Sequence, residues 1–293
     1  MAHKAGFVNI IGNPNVGKST LMNAIVGEKL CIVTAKAQTT RHRIMGIVNG
    51  EDFQIVYSDT PGILKPVYRL QQNMMNFVDS AIGDADVILY VTDTVEKPDK
   101  NGEYVEKLAM LQCPVVIVVN KIDLSSQEKV RSIMDWWQEK VPAALVLPAS
   151  AQEGFGMQNI MDAVVERLPE APAWYDKDTF TDRNLRFFAS EIIREKILLN
   201  YKDEIPYSCQ VEIESFKEGE ERYDISAIIY VMRDSQKGIL IGKKGAALKK
   251  TGTAARIEME DFFQKKVFLQ LLVKVDPDWR ESRRELRKFG YED

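Results

Sequence analysis

The chain has 293 residues, of which 45% are hydrophobic, 28% charged and 9% aromatic. That length and balance exclude a single small module, a fibrous repeat and a disordered chain, and they set an expectation of two domains. The formal charge of −4, from 39 basic and 43 acidic residues, argues against a protein that simply coats nucleic acid, although residues 233–256 concentrate seven basic residues against one acidic.

Cys31, Cys113 and Cys209 are far apart and odd in number, and the only histidines are His3 and His42. Neither a disulfide framework nor a zinc ribbon is readable, and a Ser-His-Asp hydrolase has little material to work with, so the cysteines read as reduced and any metal is expected to have oxygen ligands. Apolar runs such as 87–91 and 115–119 are strand-length, far short of the roughly 18 residues that cross a bilayer. Residues 1–6 carry no hydrophobic export signal, so the expected location is the cytoplasm.

In chain order, a strand is expected at 7–11, followed by Gly12-Asn13-Pro14-Asn15-Val16-Gly17-Lys18-Ser19 and a helix at 19–26. This is the G-x-x-x-x-G-K-S phosphate loop in its strand-loop-helix setting. The glycines let backbone N–H groups converge on phosphate oxygens, the helix offers its positive end, Lys18 neutralises β/γ charge and Ser19 ligates Mg²⁺. The nucleotide-binding set here is Gly12, Asn13, Asn15, Val16, Gly17, Lys18, Ser19 and Thr20.

Strands at 44–48 and 53–57, joined through Asn49-Gly50, read as a hairpin that adds one antiparallel edge strand. Asp59-Thr60-Pro61-Gly62 then ends the second of them, where Asp59 can hold a magnesium-bound water and Gly62 can offer its N–H to a γ-phosphate. A helix at 69–82, a strand at 87–91 and a helix at 103–111 lead to a strand at 115–119, which ends in Asn120-Lys121-Ile122-Asp123. A carboxylate such as Asp123 can accept from both N1–H and the exocyclic amine of guanine, a pattern adenine cannot match, and left buried without a partner it makes the wrong base costly. After a helix at 127–140 and a strand at 145–147 come Ala149-Ser150-Ala151, also on the nucleotide side, and a helix at 157–168. The alternation implies an α/β fold with a mostly parallel six-stranded sheet covered by helices.

Pro169 and Pro172 break the helical pattern, which sets expected boundaries of 1–170 for a nucleotide domain, 171–183 for a linker and 184–293 for a second domain. There the order is a helix at 184–200, strands at 209–216 and 223–232, Gly-rich helical sequence, a strand at 266–275 and a charged terminal helix at 280–288, read as solvated: an α+β pattern. Ile239-Leu240-Ile241-Gly242-Lys243-Lys244-Gly245 sets a G-x-x-G loop in the basic stretch. Gly242 and Gly245 permit close approach of a sugar-phosphate chain and Lys243 and Lys244 neutralise it, with Ile241 leading in. Elsewhere, at least one of Trp136 and Trp137 is expected in the core, and His42 belongs to no ligand cluster.

The four nucleotide motifs, in this order, resemble those of the translation-factor-like GTPases over roughly the first 170 residues. Lys36-Ala37-Gln38-Thr39-Thr40-Arg41-His42-Arg43 is similar to the first switch of the Era family, and Thr181-Asp182-Arg183 with Ala189-Ser190-Glu191-Ile192-Ile193-Arg194-Glu195-Lys196 is similar to that family's lead into its RNA-binding domain. The resemblance covers nearly the whole chain. It implies a type II KH fold for the second half, GTP hydrolysis, and binding near the 3′ end of small-subunit ribosomal RNA in small-subunit assembly. It also implies that Thr40 closes on Mg²⁺ and the γ-phosphate, with Lys18, Thr40, Asp59 and Gly62 carrying catalysis. Related enzymes hold K⁺ through the counterpart of Asn15; the other reading of Asn15 is that it only shapes the loop. Ile63 stands where Ras-like enzymes carry a water-orienting glutamine, so slow intrinsic hydrolysis is expected. A monomer, with peripheral contact at the inner face of the cell membrane left open, completes the expectation. Two alternatives are a GTPase-gated RNA-modification enzyme, for which the second half shows no catalytic constellation, and a membrane-surface GTPase, for which it shows no strong basic amphipathic helix.

Overall fold

The computed structural model describes residues 2–98, 100 and 102–292; Met1 and Asp293, the outer limits of the expected domains, lie outside the described residues. The chain divides into two units, one of residues 1–31, 40–66 and 74–182, the other of 32–39, 67–73 and 183–293. Two short segments of the N-terminal half therefore group with the C-terminal unit.

The first unit alternates strands and helices: β1 (Lys4–Gly12), α1 (Lys18–Val26), β2 (Ile44–Asn49), β3 (Phe53–Asp59), α2 (Arg69–Gly83, its first turns in the other unit), β4 (Val87–Asp93), α3 (Gly102–Ala109), β5 (Val115–Asn120), α4 (Gln127–Lys140), β6 (Leu145–Pro148) and α5 (Met157–Arg167). The six strands form one sheet in the order β2-β3-β1-β4-β5-β6, parallel except for the antiparallel β2 at the edge. Every residue of β4 and β5 is buried, as continuous β-branched runs require when both faces of a parallel sheet are covered. Trp137 is fully buried on α4, its ring 5.2 Å from that of Tyr90 on β4. Because β1 and β3 are adjacent and β4 and β5 follow, the carboxyl ends that carry Gly12, Asp59, Asp93 and Asn120 come together at one end of the sheet, where open α/β folds bind ligands.

Two local expectations change. The β2–β3 connection is a three-residue loop, 50–52, closed by a Gly50 N–H to Phe53 carbonyl bond of 2.8 Å, because Asn49 still pairs with Gln54 in the ladder. Helix α3 stops at Ala109, two residues early: the N–H groups of Met110 and Leu111 reach back only three residues, and Pro114 disfavours helix just before it.

The second unit contains α6 (Leu185–Asn200), the short α7 (Ile205–Ser208), β7 (Gln210–Glu218), β8 (Arg222–Val231), α8 (Asp234–Ile241), α9 (Ala246–Phe263), β9 (Lys266–Val275) and α10 (Arg283–Lys288). Asn184 caps α6, its side chain accepting from the Phe187 N–H at 3.0 Å. The sheet order is β7-β8-β9, with β7 antiparallel and β9 parallel to β8, and α6, α8 and α9 contribute to a core that includes Ile193, Ile197, Leu240, Ala255, Ile229 and Val273. The C-terminal stretch is not simply a solvated helix. Trp279 is fully buried and donates through Nε1 to the Ser208 carbonyl at 3.1 Å, Leu286 is buried, and buried Tyr291 donates its hydroxyl to Gln210 at 2.9 Å. One apolar stripe among many charges was enough to dock it. Among the described residues no helix is long and apolar enough to cross a membrane.

Candidate functional site

The phosphate loop turns from β1 into α1 through Gly17, whose φ of 97° lies in the left-handed region. A Cβ there would stand 2.2 Å from the Asn120 side-chain nitrogen, so glycine alone fits. Lys18 is buried at the start of α1, and its ammonium donates to the carbonyls of Gly12 (3.1 Å) and Asn13 (2.8 Å). Burial lowers its pKa to about 8, against the opposing pull of Asp59 and Glu96. Asn13 is also buried, with its amide on Glu96 at 2.6 Å. Asn15 is exposed in the left-handed region (φ 65°), one of the few side chains that tolerate it, and its carbonyl accepts from Lys121.

Three oxygen-bearing side chains from separate segments meet beside this loop. Ser19 donates to Asp59 Oδ2 at 2.6 Å, Thr40 reaches the same oxygen at 3.1 Å, and the two hydroxyls lie 2.9 Å apart. The other Asp59 oxygen is buried without a hydrogen-bond partner among the described residues. Burial pushes the Asp59 carboxyl above its ordinary range, while the Lys18 charge and the Ser19 and Thr40 hydroxyls pull it down. Gly62 packs against the phosphate loop, and the next residue, Ile63, donates its N–H to the Gly12 carbonyl at 3.1 Å. Ile63 itself is buried.

At the other end of the loop, buried Asn120 donates to the Val16 carbonyl at 2.9 Å and accepts from the Ala151 N–H at 3.0 Å, so one amide ties three segments together. Ser150 donates to Asp123 Oδ1 at 2.5 Å. Asp123 is exposed, with its carboxylate held in direction by Ser150. Lys121 pairs with Asp93 at 2.6 Å, and Asp93 also accepts from the N–H groups of Val95 and Glu96. Thr20 is partly exposed on α1. The structure thus brings together Gly12 to Ser19 with Thr40, Asp59, Gly62, Asn120, Lys121, Asp123, Ser150 and Ala151 in the first unit.

In the second unit, α8 ends at Gly242, residues 243–245 form a 3-10 turn, and α9 begins at Ala246. Gly242 (φ 70°) leaves no room for a Cβ, which would lie 2.7 Å from that of Ala247. Lys243 and Lys244 are exposed, and around Gly245 (φ 78°) there is open space. Ile241 is partly buried against the core, an anchor for the loop. Next to Gly245 runs a groove of about 350 Å³ between α9 and β9, lined by Leu248, Lys249, Thr253, Arg256 and Leu271. Lys249, Thr253 and Arg256 were not singled out from the sequence, although their spacing of four and three residues puts them on one helical face.

Residues 7–121 match the family model described as 50S ribosome-binding GTPase, and residues 204–280 match the KH domain. A GTPase Era of Geobacter metallireducens is 45% identical over 98% of each chain. The chain belongs to the Era GTPase family. A chloroplastic GTPase ERA-like protein of Oryza sativa is 44% identical over 99% of this chain and 70% of its own. Among solved structures, a point variant of Aquifex aeolicus Era bound to GDP·AlF4⁻ superposes with a TM-score of 0.95 at 37% identity, covering 99% of this chain and all of that one. An Era complex with MgGDPNP and nucleotides 1506-1542 of 16S ribosomal RNA gives the same values. As a member of the Era family the protein is a GTPase, built from a P-loop GTPase domain followed by a KH domain.

Proposed function

We propose that this GTPase is a nucleotide-driven switch that binds small-subunit ribosomal RNA near its 3′ end and acts in assembly of the small ribosomal subunit. The observation that carries the proposal is one chain holding both an assembled guanine-nucleotide site and a basic G-x-x-G loop beside an open groove. The 16S ribosomal RNA fragment held by the 37%-identical Era supports the choice of RNA.

On the nucleotide side, phosphate oxygens supply the counter-charge that desolvated Lys18 lacks, which draws its pKa back up and stabilises the bound form. Ser19, Thr40 and Asp59 present hard oxygens and one buried carboxylate oxygen without a partner, a donor set that fits Mg²⁺, with Ser19 and Thr40 as direct ligands and Asp59 acting through water. When bound, the ion neutralises charge on the β- and γ-phosphates. Gly62 offers its N–H to the γ-phosphate. Buried Ile63 offers no side-chain hydrogen bond to orient an attacking water, so intrinsic turnover is slow.

Asn15 is the candidate ligand for a potassium ion that would stand in for that missing orientation. Exchanging sodium for potassium at constant ionic strength is expected to raise GTP turnover, and Asn15→Ala to remove the difference. A wild-type rate indifferent to the cation leaves Asn15 with loop shaping alone. For the RNA, the test is sequencing of fragments crosslinked to the full-length protein with a GTP analogue or GDP bound. Reads are expected to concentrate at the 3′ end of the small-subunit RNA. Reads spread evenly over cellular RNA would overturn the choice of target.

A further inference from the structure

On one face of the sheet lies a buried polar row in which the proposed chemistry has no part. Asn9 on β1 and Ser58 on β3 are fully buried neighbours in the parallel register, and Arg43, just before β2, is 9% exposed. The Arg43 guanidinium spans the row. Its Nε donates to Ser58 Oγ at 3.2 Å, Nη2 donates to Asn9 Oδ1 at 3.0 Å, and Nη1 and Nη2 both reach the Asp84 carboxylate, at 2.5 and 3.0 Å. Asn9 completes it by donating to Asp84 at 2.7 Å and to the Ala81 carbonyl, at the end of α2, at 2.5 Å. One planar fork therefore joins the stem of β2, the middle of the sheet and the distal end of α2, a task its geometry suits and a lysine's does not.

The position of this fork in the chain gives it a consequence at the nucleotide. Arg43 lies three residues after Thr40, and Ser58 immediately precedes Asp59, whose partner across the ladder is Ile44. Strand alternation turns Ser58 and Asp59 to opposite faces, so the fork grips one face of the same two chain segments that present Thr40 and Asp59 on the other. A shift of the stem by a fraction of an ångström would carry Thr40 away from Ser19 and Asp59, now 2.9 and 3.1 Å from it.

We infer that Arg43, held by Asp84 and Asn9, is a positioning residue that sets Thr40 against Asp59 and so governs discrimination between GTP and GDP and the affinity for Mg²⁺. This rests on the reading of Thr40 and Asp59 as γ-phosphate and magnesium contacts. Loss of outer-shell partners ordinarily weakens metal sites about 10- to 100-fold, and the same range is expected here.

The experiment uses the full-length protein and fluorescent GDP and non-hydrolysable GTP analogues, titrated at fixed Mg²⁺ and again against Mg²⁺. Arg43→Gln is expected to lower the GTP:GDP affinity ratio about tenfold and to raise half-saturating Mg²⁺ with the GTP analogue by about the same factor. GDP affinity, which depends on the phosphate loop and the base pocket, should stay within about twofold and reports that the domain is folded. Asp84 is half exposed, so Asp84→Asn offers a variant less prone to misfold; it should shift the ratio in the same direction, and the double variant should be no worse than Arg43→Gln alone. Arg43→Lys should recover only part of the ratio. Thr40→Ala separates the two ideas. If it leaves the ratio unchanged, the reading of the nucleotide site has failed. If it lowers the ratio while folded Arg43→Gln and Asp84→Asn lower only the melting temperature, the fork is structural and the inference is overturned.

Discussion

Asp123→Asn is expected to exchange guanine for xanthine specificity, weakening GTP and GDP binding on the order of a thousandfold while creating affinity for XTP and XDP. The direction follows from hydrogen-bond polarity. A carboxylate can accept from two guanine N–H groups, whereas an amide presents one acceptor and one donor, which suits the N1–H and C2 carbonyl of xanthine. Two hydrogen bonds to a charged group, at about 1.5–3 kcal/mol each, account for the size of the loss. The fold should survive, because Ser150 donates to Asp123 Oδ1 and the amide oxygen of Asn accepts equally well. Competition titrations with the four nucleotides and with ATP check this, with Lys18→Ala as the variant that should lose all of them. Binding of ATP as tight as GTP by the wild type, or a variant that loses guanine without gaining xanthine, would remove Asp123 from the base-reading role.

How much of this site was legible in advance depended on whether its residues act through spacing along the chain. The phosphate loop is one turn of backbone, so Gly12 to Ser19 carry its geometry in their order, and the all-apolar runs at 87–91 and 115–119 announce the buried centre of the sheet. Thr40 required the family resemblance, since no local pattern ties it to Ser19 and Asp59; the fold supplies that meeting. Nothing local marks Arg41, His42 and Arg43 as buried, yet all three are, and the Asn9, Ser58 and Asp84 partners that make burial of Arg43 tolerable come from three distant segments. The Asp93–Lys121 ion pair and the Glu96–Asn13 contact escaped notice for the same reason. In the C-terminal unit, Trp279, Leu286 and Tyr291 form too sparse a pattern to outweigh the surrounding charge, and the partners that receive Trp279 and Tyr291, the Ser208 carbonyl and the Gln210 amide, lie far away in the sequence.

Gly245→Asp should abolish specific RNA binding, by about a hundredfold or more, while basal GTP turnover persists. Gly245 sits at φ 78° with no neighbouring side chain or distant backbone within 4 Å of the place a Cβ would take, and Asp is among the side chains that bear this region best, so the substitution costs some backbone strain but meets no clash, and the helix–turn–helix should still fold. What it changes is the face an RNA backbone must approach: a bulky carboxylate replaces open space between exposed Lys243 and Lys244 and the groove of Lys249 and Arg256. The lysines should behave differently. As phosphate contacts each would neutralise about one charge, so Lys243→Ala or Lys244→Ala should weaken all RNA sequences alike, by several-fold, and flatten the dependence of log affinity on log salt by about one or less. Arg256→Ala, within the groove, should instead weaken the preferred sequence more than others. The measurement is RNA affinity against salt concentration for each variant, with GTP turnover run in parallel. If Gly245→Asp binds RNA as the wild type does, this loop does not contact RNA backbone, and the groove beside it loses its assignment as well.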